Sequence, residues 1–196
     1  MNSSSQTLIA RGAWRPALVM AAIALAGFGF LYSASVASLG GLLFPQQSTG
    51  SLIVRDGRPI ASRWVAQPFA DARYFQSRPS AANYDPMAAA GSNQALTNPD
   101  LIATVDAAVA AIAAREGITP ADVPPDLATR SGSGLDPHIS PDAARVQIAR
   151  VAKARGVPER AVAVLVDRAT EAPQFGVLGQ PRVNVVALNL ALDALP

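Results

Sequence analysis

The first long pattern in the chain is a lack of polarity. No residue from Pro16 to Val54 is charged, and the centre of that stretch, Ala17 to Phe44, is almost wholly apolar or small. Wound as a helix, Ala17 to Phe44 reaches roughly 42 Å at about 1.5 Å per residue, more than the ~30 Å hydrocarbon core of a bilayer. The pattern predicts a transmembrane helix over 16–44. Gly40 and Gly41 then lie near or beyond the membrane boundary, and Leu42, Leu43 and Phe44 form an interfacial turn before Pro45. Two other readings compete. One is a cleaved signal peptide, with Arg11 and Arg15 as its charged region and Ser33-Ala34-Ser35 or Val36-Ala37-Ser38 as cleavage sites. The other is a buried core helix. The length of the apolar run favours a retained anchor.

Beyond the span the patterns shorten. Gly50 to Val54 and Pro59 to Ala66 are β-prone runs on either side of Arg55-Asp56-Gly57-Arg58, which predicts a hairpin. Gln67 to Pro99 is dense in Pro, Ser, Asn, Tyr and Phe, a composition for an ordered, packed loop. Asn98-Pro99 opens a helix with the stripe Leu101, Val105, Ala108, Ile112 and a stop at Gly117. A proline- and glycine-rich loop runs from Thr119 to Pro137. Ser140-Pro141 opens a second helix, striped by Ala144, Ile148 and Val151, with Arg145, Arg150, Lys153 and Arg155 around the rest and Gly156 ending it. Pro158 begins a third, with Val162, Leu165, Val166 and Ala169 on one face. The tail from Arg182 to Leu190 reads as a strand leading into a short helix. The fold class is a membrane-anchored α+β protein: a flank over 1–15, one amino-terminal transmembrane helix over 16–44, and a single extracytoplasmic α+β domain over 45–196.

Charge refines this picture little. Lys and Arg total 16; with Arg11 and Arg15 before the span, the other 14 (16 − 2) balance 14 Asp and Glu. The domain is therefore neutral and offers no electrostatic footprint for nucleic acid. Arg11 and Arg15 favour a cytoplasmic amino terminus, although Arg55, Arg58 and Arg63 lie close enough to the other end to count against it. With no cysteine, disulfides, thiolate metal sites, cysteine nucleophiles and lipidated-cysteine anchors are excluded.

Candidate chemistry is sparse. The single lysine, Lys153, follows no glycine-rich turn, so no P-loop is present. Neither an Asp-Lys-Thr-Gly phosphorylation string nor a Thr-Val-Gly-Tyr-Gly filter occurs. His138 with Asp136 and Ser131 or Ser133 has the residue types of a nucleophile triad, against the plainer reading of a loop histidine beside a helix start. One imidazole with scattered carboxylates is no metal site. Gly91-Ser92-Asn93 reads as an anion-binding nest or, more simply, a tight turn. Arg63, Arg73 and Arg78, interleaved with Trp64, Tyr74 and Phe75, have the residue types of a nucleic-acid surface, but in a neutral domain they better suit arginine–aromatic stacking in a packed loop.

Several longer strings resemble one family. They are Gly50-Ser51-Leu52-Ile53, Gln67-Pro68-Phe69, Tyr74-Phe75-Gln76-Ser77-Arg78-Pro79-Ser80-Ala81, and Gly91-Ser92-Asn93 followed by Thr97-Asn98-Pro99. Further on come Ser131 to Ser140, Arg150 to Gly156, Leu178 to Val185, and Leu188 to Asp193. In this order they resemble the C chain of Kdp-type potassium-transporting P-type ATPases, the KdpC family, over roughly three quarters of the chain. Ala66 stands where the family usually has glycine, and Ala89 and Ala90 replace the first two residues of its Ser-Gly-Gly-Ser-Asn.

The resemblance implies a non-catalytic accessory subunit of a high-affinity, ATP-driven potassium uptake pump in the bacterial inner membrane. It would be single-pass, with the amino terminus cytoplasmic and the main domain periplasmic. Its implied partners are a channel-like potassium-binding subunit, a catalytic P-type ATPase subunit and a very small membrane subunit, besides membrane lipid. Its implied roles are to assemble and stabilise the complex, to guard potassium entry, or to support ATP binding by the catalytic subunit. Potassium is the transported ion and ATP is used through the catalytic subunit, with no cofactor expected to bind this chain directly. The motif positions carried over as candidates for packing or subunit contact are Gln67, Phe69, Tyr74, Phe75, Arg78, Pro79, Gly91, Ser92, Asn93, Asn98, Pro99, Asp136, Arg150, Arg155, Asn184 and Asn189. The alternative is a stand-alone anchored periplasmic binding module or hydrolase built on the Ser131–His138 loop.

Overall fold

The structure is a computed structural model that describes residues 14–195. Residues 1–13 of the predicted flank, Arg11 among them, lie outside the described residues. The chain divides into two compact units, Met1–Ser51 and Leu52–Pro196.

In the first unit one continuous helix runs from Trp14 to Leu43, 30 residues, long and apolar enough to cross a bilayer. None of it is buried, whereas a core helix would bury a stripe. The helix is not uniform. Two α-helical ends, α1 (Trp14–Ala24) and α2 (Ser33–Leu43), flank a π-helical middle, Leu25–Tyr32, that contains Gly27 and Gly29. Ser33 Oγ donates to Phe28 O at 3.0 Å, five residues back. At Phe44 the backbone leaves the helical region (φ −134°, ψ 62°), as a residue before proline tends to. Pro45 then opens the single turn α3 (Pro45–Ser48).

The second unit begins with the predicted hairpin, β1 (Leu52–Arg55) against β2 (Arg58–Ser62), with a register shift between Ile53 and Val54. Asp56 (φ 52°) and Gly57 (φ 75°) make the two-residue turn, both left-handed as this tight connection requires. The next segment has little regular structure beyond one turn at Pro86–Ala88.

Helix α4 (Pro99–Glu116) starts where Asn98 Oδ1 accepts from Asp100 N at 2.9 Å and ends at Gly117 (φ 70°). Its inner face runs through Val105, Ala108 and Val109 to buried Ile112 and Ala113. The Thr119–Pro137 stretch contains more than sequence punctuation suggests. It holds a turn at Pro120–Asp122, the short α5 (Pro125–Ala128) with Leu127 and Ala128 buried, and β3 (His138–Ile139) just beyond.

The helix predicted from Ser140 to Gly156 is two pieces, α6 (Pro141–Arg145) and α7 (Ile148–Arg155). Between them Gln147 N bonds to Ala144 O at 3.1 Å, three residues back, so one turn is tightened. Helix α8 (Glu159–Ala169) buries Val162 and Val166. After it come β4 (Thr170–Glu171), β5 (Arg182–Asn184) and α9 (Val185–Asp193), capped by Asn184 Oδ1 on Ala187 N at 2.9 Å. Strands β3, β5 and β4 form an antiparallel sheet in that order. The core is Phe75 with Val151, Val162, Val166, Val183, Val185, Leu188 and Leu192, each almost fully buried.

Candidate functional site

The polar interior of the domain is organised around a loop backbone. From Ala72 to Gln76 the chain forms one turn, with Tyr74 N on Asp71 O at 3.1 Å, but no helix or strand, so most of its peptide groups need partners from elsewhere. Helices α7 and α9 and the turn before α7 supply them. Asn189 Oδ1 accepts from Phe75 N at 2.8 Å, and Asn189 Nδ2 donates to Phe75 O at 2.9 Å. Gln147 repeats the arrangement one residue on, accepting from Gln76 N at 2.8 Å and donating to Gln76 O at 3.2 Å. A carboxamide matches a peptide group donor for acceptor, so each side chain stands in for a neighbouring strand. Both amides are essentially fully buried.

Two arginines complete the grip. Arg150 donates through Nη1 to Ala72 O and to Tyr74 O (3.0 Å), and through Nη2 to Gln147 Oε1 at 2.8 Å. Its Nε lies 2.9 Å from Glu116 Oε2, a carboxylate with no exposed side-chain surface that Arg115 also meets at 2.6 Å. Arg155 donates to Arg73 O at 2.7 Å, Leu192 O at 3.1 Å and Asp193 Oδ1 at 2.8 Å, with its guanidinium 4.9 Å from the Tyr74 ring centre. The fixed fork of arginine donors allows one side chain to serve several carbonyls. Tyr74 in turn lies against Phe69, ring centres 5.6 Å apart. The structure thus brings together Phe69, Tyr74, Phe75, Arg150, Arg155 and Asn189. Sequence reasoning missed Gln147 and Glu116, which look like solvent-facing helix residues; their only signal was a polar residue in line with an apolar stripe.

A second cluster joins Arg78, Asp136 and Asn184. Asp136 Oδ1 is 3.0 Å from both His138 Nδ1 and His138 N, and its other oxygen is 3.8 Å from Arg78. Burial pushes the Asp136 carboxyl up, but the His138 hydrogen bonds and the nearby Arg78 charge outweigh it, leaving the group below its ordinary value. Asn184 Nδ2 donates to Arg63 O at 2.8 Å and faces His138 Nε2 at 3.5 Å. The His138 ring also lies 5.9 Å from Trp64, which carries Arg63 at 5.0 Å on its own ring. Arg73, by contrast, pairs with Asp71 at 3.1 Å.

No triad is assembled. Neither Ser131 nor Ser133 is hydrogen-bonded to His138: Ser131 is 3% exposed with an unpaired hydroxyl, and Ser133 Oγ accepts from Leu135 N. A cleft of about 1090 Å³ opens beside this cluster, walled by Arg78, Asp126, Asp136, His138, Arg145 and Arg182. Its carboxylates are engaged: Asp126 accepts from Ser140 N and Oγ, and Asp142 pairs with Arg145 at 2.8 Å. Among the described residues no three His, Cys, Asp or Glu side chains converge as metal ligands.

The remaining motif positions join loops. Gly91 has its Cα so close to Gly132 that an added Cβ would sit 2.8 Å from that carbonyl oxygen. Close approach, rather than a phosphate cradle, accounts for this glycine. Ser92 is half-buried beside it, and Asn93 turns the chain at φ 51°. Pro79 O accepts from Ser131 N at 3.1 Å, Gln67 Nε2 donates to Ile60 O at 3.0 Å, and Asn98 and Pro99 start α4.

The arrangement holds a long loop onto helices, in a chain that resembles known proteins over nearly its whole length. The family profile described as the K+-transporting ATPase, c chain (KdpC) matches residues 14–194. The chain belongs to the KdpC family. Among its relatives, the potassium-transporting ATPase KdpC subunit of Xanthomonas oryzae pv. oryzae is 60% identical over 191 residues, covering 97% of this chain and 91% of that protein. The KdpC subunit of Shewanella putrefaciens is 53% identical, covering 85% of this chain and 84% of that protein. That of Geobacter metallireducens is 49% identical, covering 92% and 97%. KdpC membership thus spans both the apolar helix and the clamped domain.

Proposed function

We propose that this chain is a non-catalytic accessory subunit of an ATP-driven potassium uptake pump, anchored in the inner membrane by one helix and assembling with the other subunits through its folded domain. The observation that carries the reading is the family match over residues 14–194, helix and domain together. The geometry agrees with a scaffold. Polar side chains of the kind a catalytic centre draws on, Gln147, Asn189, Glu116 and Arg150, serve to hold a loop backbone in place. ATP is used through the catalytic P-type subunit, potassium is the ion moved, and a channel-like subunit and a very small membrane subunit complete the complex. The amino terminus is cytoplasmic and the domain periplasmic.

Affinity purification of the tagged chain in mild detergent, from its host grown at low potassium, tests the assembly. Co-purification of a P-type ATPase chain and a channel-like chain at matched stoichiometry is the expected result. Recovery of this chain alone, with both partners shown to be expressed, would overturn it. Orientation has its own test, because the chain has no cysteine. A single cysteine at Met87, 92% exposed, should react with a membrane-impermeant thiol reagent added to spheroplasts. Labelling only after lysis would place the domain inside.

A further inference from the structure

The neutrality of the folded domain hides an uneven distribution of charge. Residues 52–66 carry three arginines against one aspartate, whereas 67–196 carry 11 basic and 13 acidic side chains. The positive end is therefore the hairpin and the few residues that follow it. Within it Arg55 and Arg58 are register partners, opposite each other across the turn. Like charges so placed repel and weaken the strand pair. Nothing in the domain relieves them. Among the described residues Arg55, Asp56 and Arg58 take part in no ion pair or side-chain hydrogen bond. Beyond residue 66, by contrast, seven of ten arginines meet a carboxylate.

The same stretch exposes apolar surface. By strand alternation Leu52 and Val54 share the face opposite Ile53, and they are 52% and 59% exposed. Trp64, 46% exposed, carries the Arg63 guanidinium 5.0 Å from its ring centre. Underneath, the stretch is held firmly. Ala61 and Ala66 are buried, Ala66 N donates to Leu135 O at 2.8 Å, and Arg63 O accepts from Asn184 Nδ2 at 2.8 Å. Arginine, tryptophan and aliphatic side chains together are the composition of a segment that lies at the headgroup level of a bilayer.

We infer that the hairpin and Trp64 dock on the bilayer surface, with Arg55, Arg58 and Arg63 taking the phosphates of anionic phospholipid headgroups; this rests on the reading of the long apolar helix as a membrane anchor. The connection is short. Eight residues, Phe44 to Ser51, lie between the end of that helix and β1, and four of them are wound into α3. A chain of that length reaches less than about 30 Å, so an anchored chain keeps its hairpin within reach of the headgroups. A phosphodiester supplies what the hairpin lacks. Its oxygens accept from planar guanidinium donors, and one placed between Arg55 and Arg58 turns their repulsion into two attractions. Leu52, Val54 and Trp64 add an apolar contact for which a free phosphate ion has no use. The tether also presents headgroups at a high effective concentration. A carboxylate on a partner subunit is the competing acceptor, and the test separates it.

The chain has two tryptophans, one at each place that matters, so anchoring and docking are read separately. Full-length chains with Trp64→Phe, which leaves Trp14, or Trp14→Phe, which leaves Trp64, are reconstituted into vesicles holding a nitroxide-headgroup lipid in both leaflets. With phosphatidylglycerol present both tryptophans should be quenched. In phosphatidylcholine alone, or at high salt, Trp64 quenching should be lost while Trp14 quenching stays. Replacing Arg55, Arg58 and Arg63 together by Gln should lower the docked-to-free ratio on the order of 100-fold in the anionic vesicles. The lipid comparison leaves the hairpin intact, so it decides the matter whether or not that variant folds. Trp14 quenched and Trp64 not, or Trp64 quenched equally in both lipids, overturns the docking and leaves the anchor standing. If neither is quenched, the anchored reading falls and takes the inference with it. Release of Trp64 by inorganic phosphate, beyond that by chloride at equal ionic strength, would mark a site for the free ion and overturn the headgroup assignment. In the complete complex a photo-crosslinking residue in place of Val54 should label lipid. Labelling of a co-purified subunit instead would give the surface to that partner and overturn the inference.

Discussion

Two irregular segments of the domain manage their backbones in opposite ways. Ala72–Gln76 makes almost no hydrogen bonds of its own and has its peptide groups taken by Asn189, Gln147, Arg150 and Arg155. Pro173–Leu178 satisfies its backbone internally and leaves its apolar side chains in the open. Both would be called loops. The first is fixed by the rest of the domain, so substitutions in its clamp act on folding. The second is fixed by its own turn, so substitutions at its tip leave the rest of the fold in place.

That contrast can be broken from either side. The largest effect is expected at Arg150. Arg150→Ala removes one of the two arginines that pair with the buried Glu116 carboxylate, as well as three other contacts, and should cost about 3 kcal/mol. Urea unfolding of the purified chain, followed by circular dichroism, measures it. A loss below about 1 kcal/mol would mean that the clamp is ornamental. Asn189→Leu keeps the branched shape but leaves Phe75 N and O unpaired, with an expected cost of about 2–3 kcal/mol by the same measurement.

Gly134→Ala comes next. The residue is left-handed (φ 71°), and a Cβ would meet Ala82 Cβ and Ala90 O at 2.9 Å each, so a loss of about 2 kcal/mol is expected. On the other side of the comparison the sign reverses. Phe175→Gly should gain about 1 kcal/mol in fold stability by removing left-handed strain (φ 56°). The smallest effect belongs to Asp136. Its carboxyl lies below the ordinary value of 3.8, so the stability it contributes is present above that pH and is lost as pH falls through the lower folded value. Asp136→Asn should flatten that part of an acid-unfolding curve.

What the sequence makes legible follows from the range of the interactions. The hairpin turn, the Asn98-Pro99 start and the Gly117 and Gly156 stops depend on neighbours within a few residues, so local chemistry announces them. The clamp pairs lie 71 to 114 positions apart in sequence for Gln76–Gln147 and Phe75–Asn189. No local pattern reveals them. Strands β3 and β4 are two residues each, too short for an alternation to register. Motif strings marked Asn189 and Arg150 without indicating a role, and Gly91 read as part of a nest or a tight turn, whereas its close approach to the carbonyl of Gly132 is long-range. The exposed segment Pro173–Leu178 was in view only at its end, in the string Leu178 to Val185, and Phe175 lies outside that string. Only the backbone angle singles it out.

The π-helical middle of the long apolar helix changes which residues share a face. Each π turn takes up one residue more than an α turn, and one residue corresponds to about 100° of rotation. Crossing Leu25–Tyr32 therefore swings the second α-helical half out of phase with the first. Ala21 and Ser35, two heptads apart, lose the common face a regular helix would give them. A residue-by-residue scan of this helix should yield two short periodic records with a phase jump between them, so its faces must be assigned separately for α1 and α2.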